Sequence, residues 1–137
     1  MKIEIAKPPN FDDIVKVFPR ATDPAVIFAY GDTIYNPSGG FVSPILIAHE
    51  EVHGVQQAHQ TPEGWWANYL SSPQFRYAQE LSAHAAELRA QYTRNRNEWF
   101  RALHRTAYRL IADLYQYPKP PVGPDFKTAL ADLQAAL

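Results

Sequence analysis

Ser43-Pro44-Ile45-Leu46-Ile47-Ala48-His49-Glu50-Glu51-Val52-His53-Gly54-Val55-Gln56-Gln57 is the stretch on which the reading of this chain turns. Serine before proline is a helix start: the hydroxyl can accept from a free N–H of the first turn, and proline gives up no hydrogen bond at the first helical position. The spacing predicts a helix from Pro44 to about Gln57. On it His49 and His53 are four residues apart, so both imidazoles lie on one face and can reach one metal ion. Glu50 sits one step round from His49, beside the position a catalytic metal leaves open. Zinc lowers the pKa of its bound water to about 7, and a carboxylate so placed can take the proton. Glu51 points a further ~100° round, away from the metal.

A catalytic zinc site needs a third protein ligand. His59 lies six residues after His53, but Gln56 stands where a glycine would be needed to turn the chain, which argues against His59. A better candidate follows the second Ser-Pro start, Ser72-Pro73. There Phe75, Ala78, Leu81, Ala85, Leu88 and Tyr92 form an apolar helical stripe. Glu80, His84 and Glu87 form a polar stripe one step back from it. Alanines beside that stripe (Ala78, Ala83, Ala86) would let two helices approach closely.

H-E-x-x-H followed by a helix carrying E-x-x-x-[D/H] resembles the thermolysin-like gluzincin metallopeptidases. The resemblance implies that His49 and His53 are zinc ligands, Glu50 the general base and Glu80 the third ligand. In that family the residue four beyond the glutamate orients a zinc-binding histidine. Here His84 stands in that place instead of the usual aspartate. The stretch from Ile27 to Glu87 is also similar to small zincin-like proteins encoded by phages and prophages, through Phe28-Ala29-Tyr30-Gly31-Asp32-Thr33-Ile34-Tyr35-Asn36-Pro37. The fold so implied is α+β: a minimal zincin-like domain with a small hairpin or sheet on the active-site helix, then a ligand helix and a helical C-terminal part.

The rest of the chain reads around this centre. Gly31-Asp32 between two apolar runs signals a hairpin. Either run, Ala25–Tyr30 or Thr33–Asn36, could supply an edge for an extended peptide. Residues 1–6 alternate like a strand, and Asn10 is placed to cap a helix over 11–18. Residues 60–71 read as a loop plugged by Trp65-Trp66. A helix is expected over 97–115, then an extended proline-rich linker at 118–124 and an amphipathic helix at 125–137, with one domain covering 1–117. Tyr69, Tyr77, Arg76 and His84 are conceivable donors to a developing oxyanion, none of them singled out.

Composition narrows the classes. There are 137 residues and no cysteine, so thiolate zinc sites, iron–sulfur clusters and disulfide frameworks are excluded. A net charge of −1 gives no general case for nucleic acid or an anionic membrane. No run is long enough to span a bilayer and no secretory signal is evident, which points to the host cytoplasm. Residues 89–119 hold seven bases against two acids, mainly Arg89, Arg94, Arg96, Arg101, Arg105 and Arg109. A solvated helix face is the expected explanation of that run. Three readings follow: a zinc metallopeptidase acting on peptide or protein, a non-proteolytic structural or interaction protein on the same zinc scaffold, and a nucleic-acid-associated protein. Glu50 favours the first over the second, since a structural site needs no base. Near-neutral charge weighs against the third.

Overall fold

The computed structural model describes residues 1–137. It is an α+β fold with six α-helices and one three-stranded sheet: β1 (Lys2–Glu4), α1 (Phe11–Val17), β2 (Phe28–Tyr30), β3 (Thr33–Tyr35), α2 (Pro44–Ala58), α3 (Pro62–Ser71), α4 (Pro73–Ala90), α5 (Arg96–Leu110) and α6 (Phe126–Ala136). Short 3₁₀ turns cover Pro19–Thr22 and Asp113–Tyr115.

Helix starts follow from local chemistry. Ser43, Thr61, Ser72, Asn95 and Asp125 each accept, through the side chain, from the N–H three residues on, at 2.7 to 3.2 Å. At Ser43 and Ser72, where the contact is partly buried, such a cap is worth ~1 kcal/mol. Thr61-Pro62 is thus a third start of the Ser-Pro kind. Residues 62–71 are helical where a loop was expected, although Trp65 and Trp66 are buried as the plug reading requires. Asn10 makes no side-chain cap bond. Helix α5 stops at Leu110, and the 3₁₀ turn at Asp113–Tyr115 replaces the expected continuation to 115.

The hairpin forms as the Gly-Asp signal predicts. Gly31 has φ +63°, a region open to glycine without strain. The strand order is β1-β3-β2, with β1 parallel and β2 antiparallel to β3. The run at 33–36 is therefore central and offers no edge. Strand β2 is an outer strand, but its Ala29 carbonyl already accepts from Gln57 Nε2 (2.9 Å) and Trp66 Nε1 (3.2 Å). Gln57 Oε1 accepts in turn from the Gly31 N–H at 2.7 Å. A peptide strand therefore finds that carbonyl of β2 occupied.

Two apolar clusters flank the α2–α4 pair. Ile14, Phe18, Phe28, Trp65, Trp66 and Tyr69 form one. Leu88, Leu103, Ala107, Leu110, Ala129 and Leu133 form the other, from α4, α5 and α6. The proline-rich segment turns back at Pro120–Val122 instead of running straight. The Gly123 N–H bonds the Lys119 carbonyl at 3.1 Å. Any Cβ at Gly123 would lie 1.7 Å from the Pro118 oxygen. Helix α6 is thereby laid on the second cluster, where burying Leu133 alone contributes ~1.5–3 kcal/mol. No helix is long and apolar enough to cross a membrane.

Candidate metal centre

Helices α2 and α4 pack face to face and bring together His49, His53, Glu80, His84 and Glu87, each at most 5% exposed. His49 Nε2 and His53 Nε2 are 3.1 Å apart. The Glu80 carboxylate reaches both: Oε2 lies 3.3 Å from His49 Nε2 and Oε1 lies 3.2 Å from His53 Nε2. Ligands at 2.0–2.1 Å from a tetrahedral ion are about 3.3 Å from one another. The three side chains therefore stand at the spacing such an ion requires, and His84 is also close to the group.

The hydrogen-bond pattern says which atoms carry lone pairs. Gln56 Nε2 donates to the Gln79 carbonyl at 3.2 Å, which fixes the amide and leaves Gln56 Oε1 as an acceptor for His53 Nδ1 at 2.8 Å. His49 Nδ1 lies 2.6 Å from Glu87 Oε1, an acceptor-only carboxylate. In the neutral imidazoles both Nδ1 atoms carry the hydrogen, and both Nε2 lone pairs face Glu80. Glu80 Oε2 is buried with no hydrogen-bond partner. Three electron-pair donors held this close could take a metal ion between them.

The electrostatics show a demand for positive charge at this point, met without a metal by a proton on His49. Burial works against the His49 imidazolium, but Glu80 and Glu87 outweigh it and push the pKa up to about 10. Burial likewise opposes ionisation of Glu80, yet His53 and His49 hold its carboxyl well below the usual range. Glu87 is treated the same way: burial raises it, and His49, His84 and Arg109 bring it down to about 2. His84 goes the other way, to about 4, through burial and the neighbouring His49 charge. Its Nδ1 donates to the Glu80 backbone carbonyl at 2.8 Å, and its Nε2 has no partner.

Each side chain named from the sequence can now be placed. His49, His53 and Glu80 converge, and Glu50 is buried beside them on the α2 face toward β2. Glu51 is exposed, and so is His59 at the end of α2, away from the centre. The polar stripe expected at the margin of the α4 buried face is fully inside it. The contact that orients His49 comes from Glu87, seven residues beyond Glu80, and not from His84. Arg109 of α5, itself half exposed, donates to Glu87 at 2.5 and 3.2 Å, and the basic run is otherwise exposed as expected. Glu87→Ala is expected to keep the helical circular dichroism and weaken zinc affinity ~10–100-fold, the usual cost of losing a group that orients a ligand. Competition against a chromophoric chelator measures it.

Among the conceivable oxyanion donors, Tyr77 is engaged elsewhere, donating to Asp132 at 2.7 Å. Arg76 is buried and donates to the carbonyls of Tyr69 and Tyr115 at 2.6 and 2.8 Å, with its guanidinium 4.9 Å from the Phe18 ring. Tyr69 stays at the centre, donating to Glu80 Oε1 at 2.5 Å. Nothing local in the sequence marks Tyr115 as part of the site. The Arg76 clamp sets the 113–116 turn against the site, and Tyr115 joins the cavity wall there. Two cavities meet at His49 and Glu50. One, of about 80 Å³, runs inward past Tyr69 to Phe18 and Trp66. The other, of about 250 Å³, lies against Arg20, Asp23, Leu46 and Arg109.

No family model, curated protein or solved structure compared with this chain matches it.

Proposed function

We propose that this chain is a zinc-dependent peptidase, with His49, His53 and Glu80 as the metal ligands and Glu50 as general base. The observation that carries the reading is the set of three lone-pair donors at tetrahedral spacing beside a buried carboxylate that is not one of them. Zinc bound there would polarise a peptide carbonyl and make water more acidic. Glu50 then accepts the proton of the attacking water and returns it to the leaving amine. Burial raises the Glu50 pKa, His49 and His53 lower it, and the net result is upward, toward the working range of a base near neutrality. Glu87 and Gln56 fix the two imidazoles, so the ligands need little reorganisation. Tyr69 is the hydroxyl donor nearest the centre. The larger cavity, reaching Glu50 past Arg20 and Arg109, is the route by which a peptide would enter.

A second reading keeps the metal and gives up hydrolysis. It has one observation in its favour: His49, Glu50 and His53 are each only 5% exposed, little access for a macromolecular substrate. Protein stripped of metal and reloaded with zinc, incubated with a mixed peptide library and read by mass spectrometry, separates the two. New chain ends that vanish on chelation and return with zinc are expected. Full zinc occupancy with no cleavage would leave the structural reading standing.

A further inference from the structure

Strand β1 is an outer strand with all three residues exposed. Its inner edge is fixed by β3: the Lys2 N–H donates to the Asp32 carbonyl at 3.0 Å, and the Glu4 carbonyl accepts from the Asn36 N–H at 2.8 Å. Backbone groups alternate along a strand, so the N–H and C=O of Ile3 point to the open side. Side chains alternate as well. Ile3 is in register with the fully buried Ile34, on the sheet face toward α2, while Lys2 and Glu4 share the opposite face. Met1 lies over Gly54 of α2 on the apolar face: a Cβ at Gly54 would meet the Met1 sulfur at 3.0 Å. Met1 (43% exposed), Ile3 (47%), Ile5 (75%) and the neighbouring Val55 (59%) leave an apolar strip along this edge.

We propose that two copies of this chain pair edge to edge through antiparallel β1 strands, about a twofold axis at Ile3, forming one six-stranded sheet. The order Lys2-Ile3-Glu4 is self-complementary in that register. Ile3 faces Ile3 of the second copy as a hydrogen-bonded pair, which uses the two backbone groups that face outward. Lys2 then falls opposite Glu4 of the second copy, twice over, in the non-hydrogen-bonded positions where side chains come closest. Lone edge strands are commonly kept apart by charge, and here the same charges attract. Shifting the register by one residue turns inward-facing backbone groups toward the partner and so forms no ladder. Lys2 has only a loose existing partner, Asp32 at 3.9 Å with both side chains largely exposed. The interface is small, so association is expected to be weak and concentration-dependent.

Sedimentation equilibrium of the full chain from about 5 to about 500 µM tests this. The mass should rise from 15.6 kDa toward twice that value. Ile3→Pro removes the outward N–H while sparing the Lys2 and Glu4 bonds to β3, a change edge strands tolerate, and should give a monomer with unchanged circular dichroism. Lys2→Glu and Glu4→Lys should each weaken association about tenfold, and the double exchange Lys2→Glu/Glu4→Lys should restore it. That restoration decides the matter even if Ile3→Pro disturbs folding. A monomer at every concentration overturns the proposal. So does a dimer indifferent to the charge variants, which would place the contact elsewhere.

Discussion

Glu80→Ala is expected to weaken zinc binding by more than about 100-fold, beyond the loss at Glu87, because it removes a donor and not the support of one. The carboxylate is the only anion within 3.3 Å of both Nε2 atoms. His84 is the closest substitute, but its Nδ1 hydrogen stays on the Glu80 backbone carbonyl, so only its neutral Nε2 could stand in for the lost anion. The Tyr69 hydroxyl loses its acceptor as well, so a modest fall in metal-free stability should accompany the change. Zinc added to wild type should raise the melting temperature, since an ion that binds only the folded state stabilises it by mass action. In Glu80→Ala the increment should nearly vanish at the same zinc concentration. His59→Ala, at an exposed position, should leave it intact. If Glu80→Ala keeps wild-type zinc affinity while Glu87→Ala abolishes it, the ion belongs to the alternative group His49, His84 and Glu87.

What could be read from the sequence was what depends on neighbours along the chain. Ser43-Pro44 starts α2, and a four-residue interval places two imidazoles on one face. Both are local facts that packing does not alter. Glu80 was within reach because a polar stripe bordering an apolar one must face another element. Which residue of that stripe meets which imidazole depends on how α4 crosses α2, and spacing alone does not fix that. The His49 contact therefore falls to Glu87 and not to His84. Gln56 looked like a defect, because it occupies the place of a turn-forming glycine. On a helix that simply continues, it is three residues from His53 and orients it. Helix α3 was missed although Thr61-Pro62 repeats the start signal, because Gly64 and two adjacent tryptophans obscure the period. Arg109 and Tyr115 come from the far end of the chain. They reach the centre through the clamp of Arg76 and the packing of α5, which no local pattern encodes.

Glu50→Gln should keep the fold and the zinc and lower peptide hydrolysis ~10²-fold or more, the scale of a lost general base. Glutamine matches glutamate in shape, so the packing of a side chain only 5% exposed is preserved. The Ala29 backbone, which lowers the Glu50 pKa by hydrogen bonding, still has an acceptor in the amide oxygen. What disappears is the capacity to hold a proton between attack and departure of the amine. No other carboxylate can assume it: Glu80 is committed to the imidazoles, Glu87 to His49 and Arg109, and Glu51 faces solvent. Glu51→Gln should therefore be close to silent. The loss should fall on kcat more than on KM, because Glu50 acts on the reacting proton and not on the body of the substrate. Equal zinc content in wild type and Glu50→Gln, measured beside the rates, separates loss of the base from loss of the metal. If Glu50→Gln hydrolyses peptide as fast as wild type, the proton is carried by another group, and the assignment of Glu50 falls even with zinc at every site.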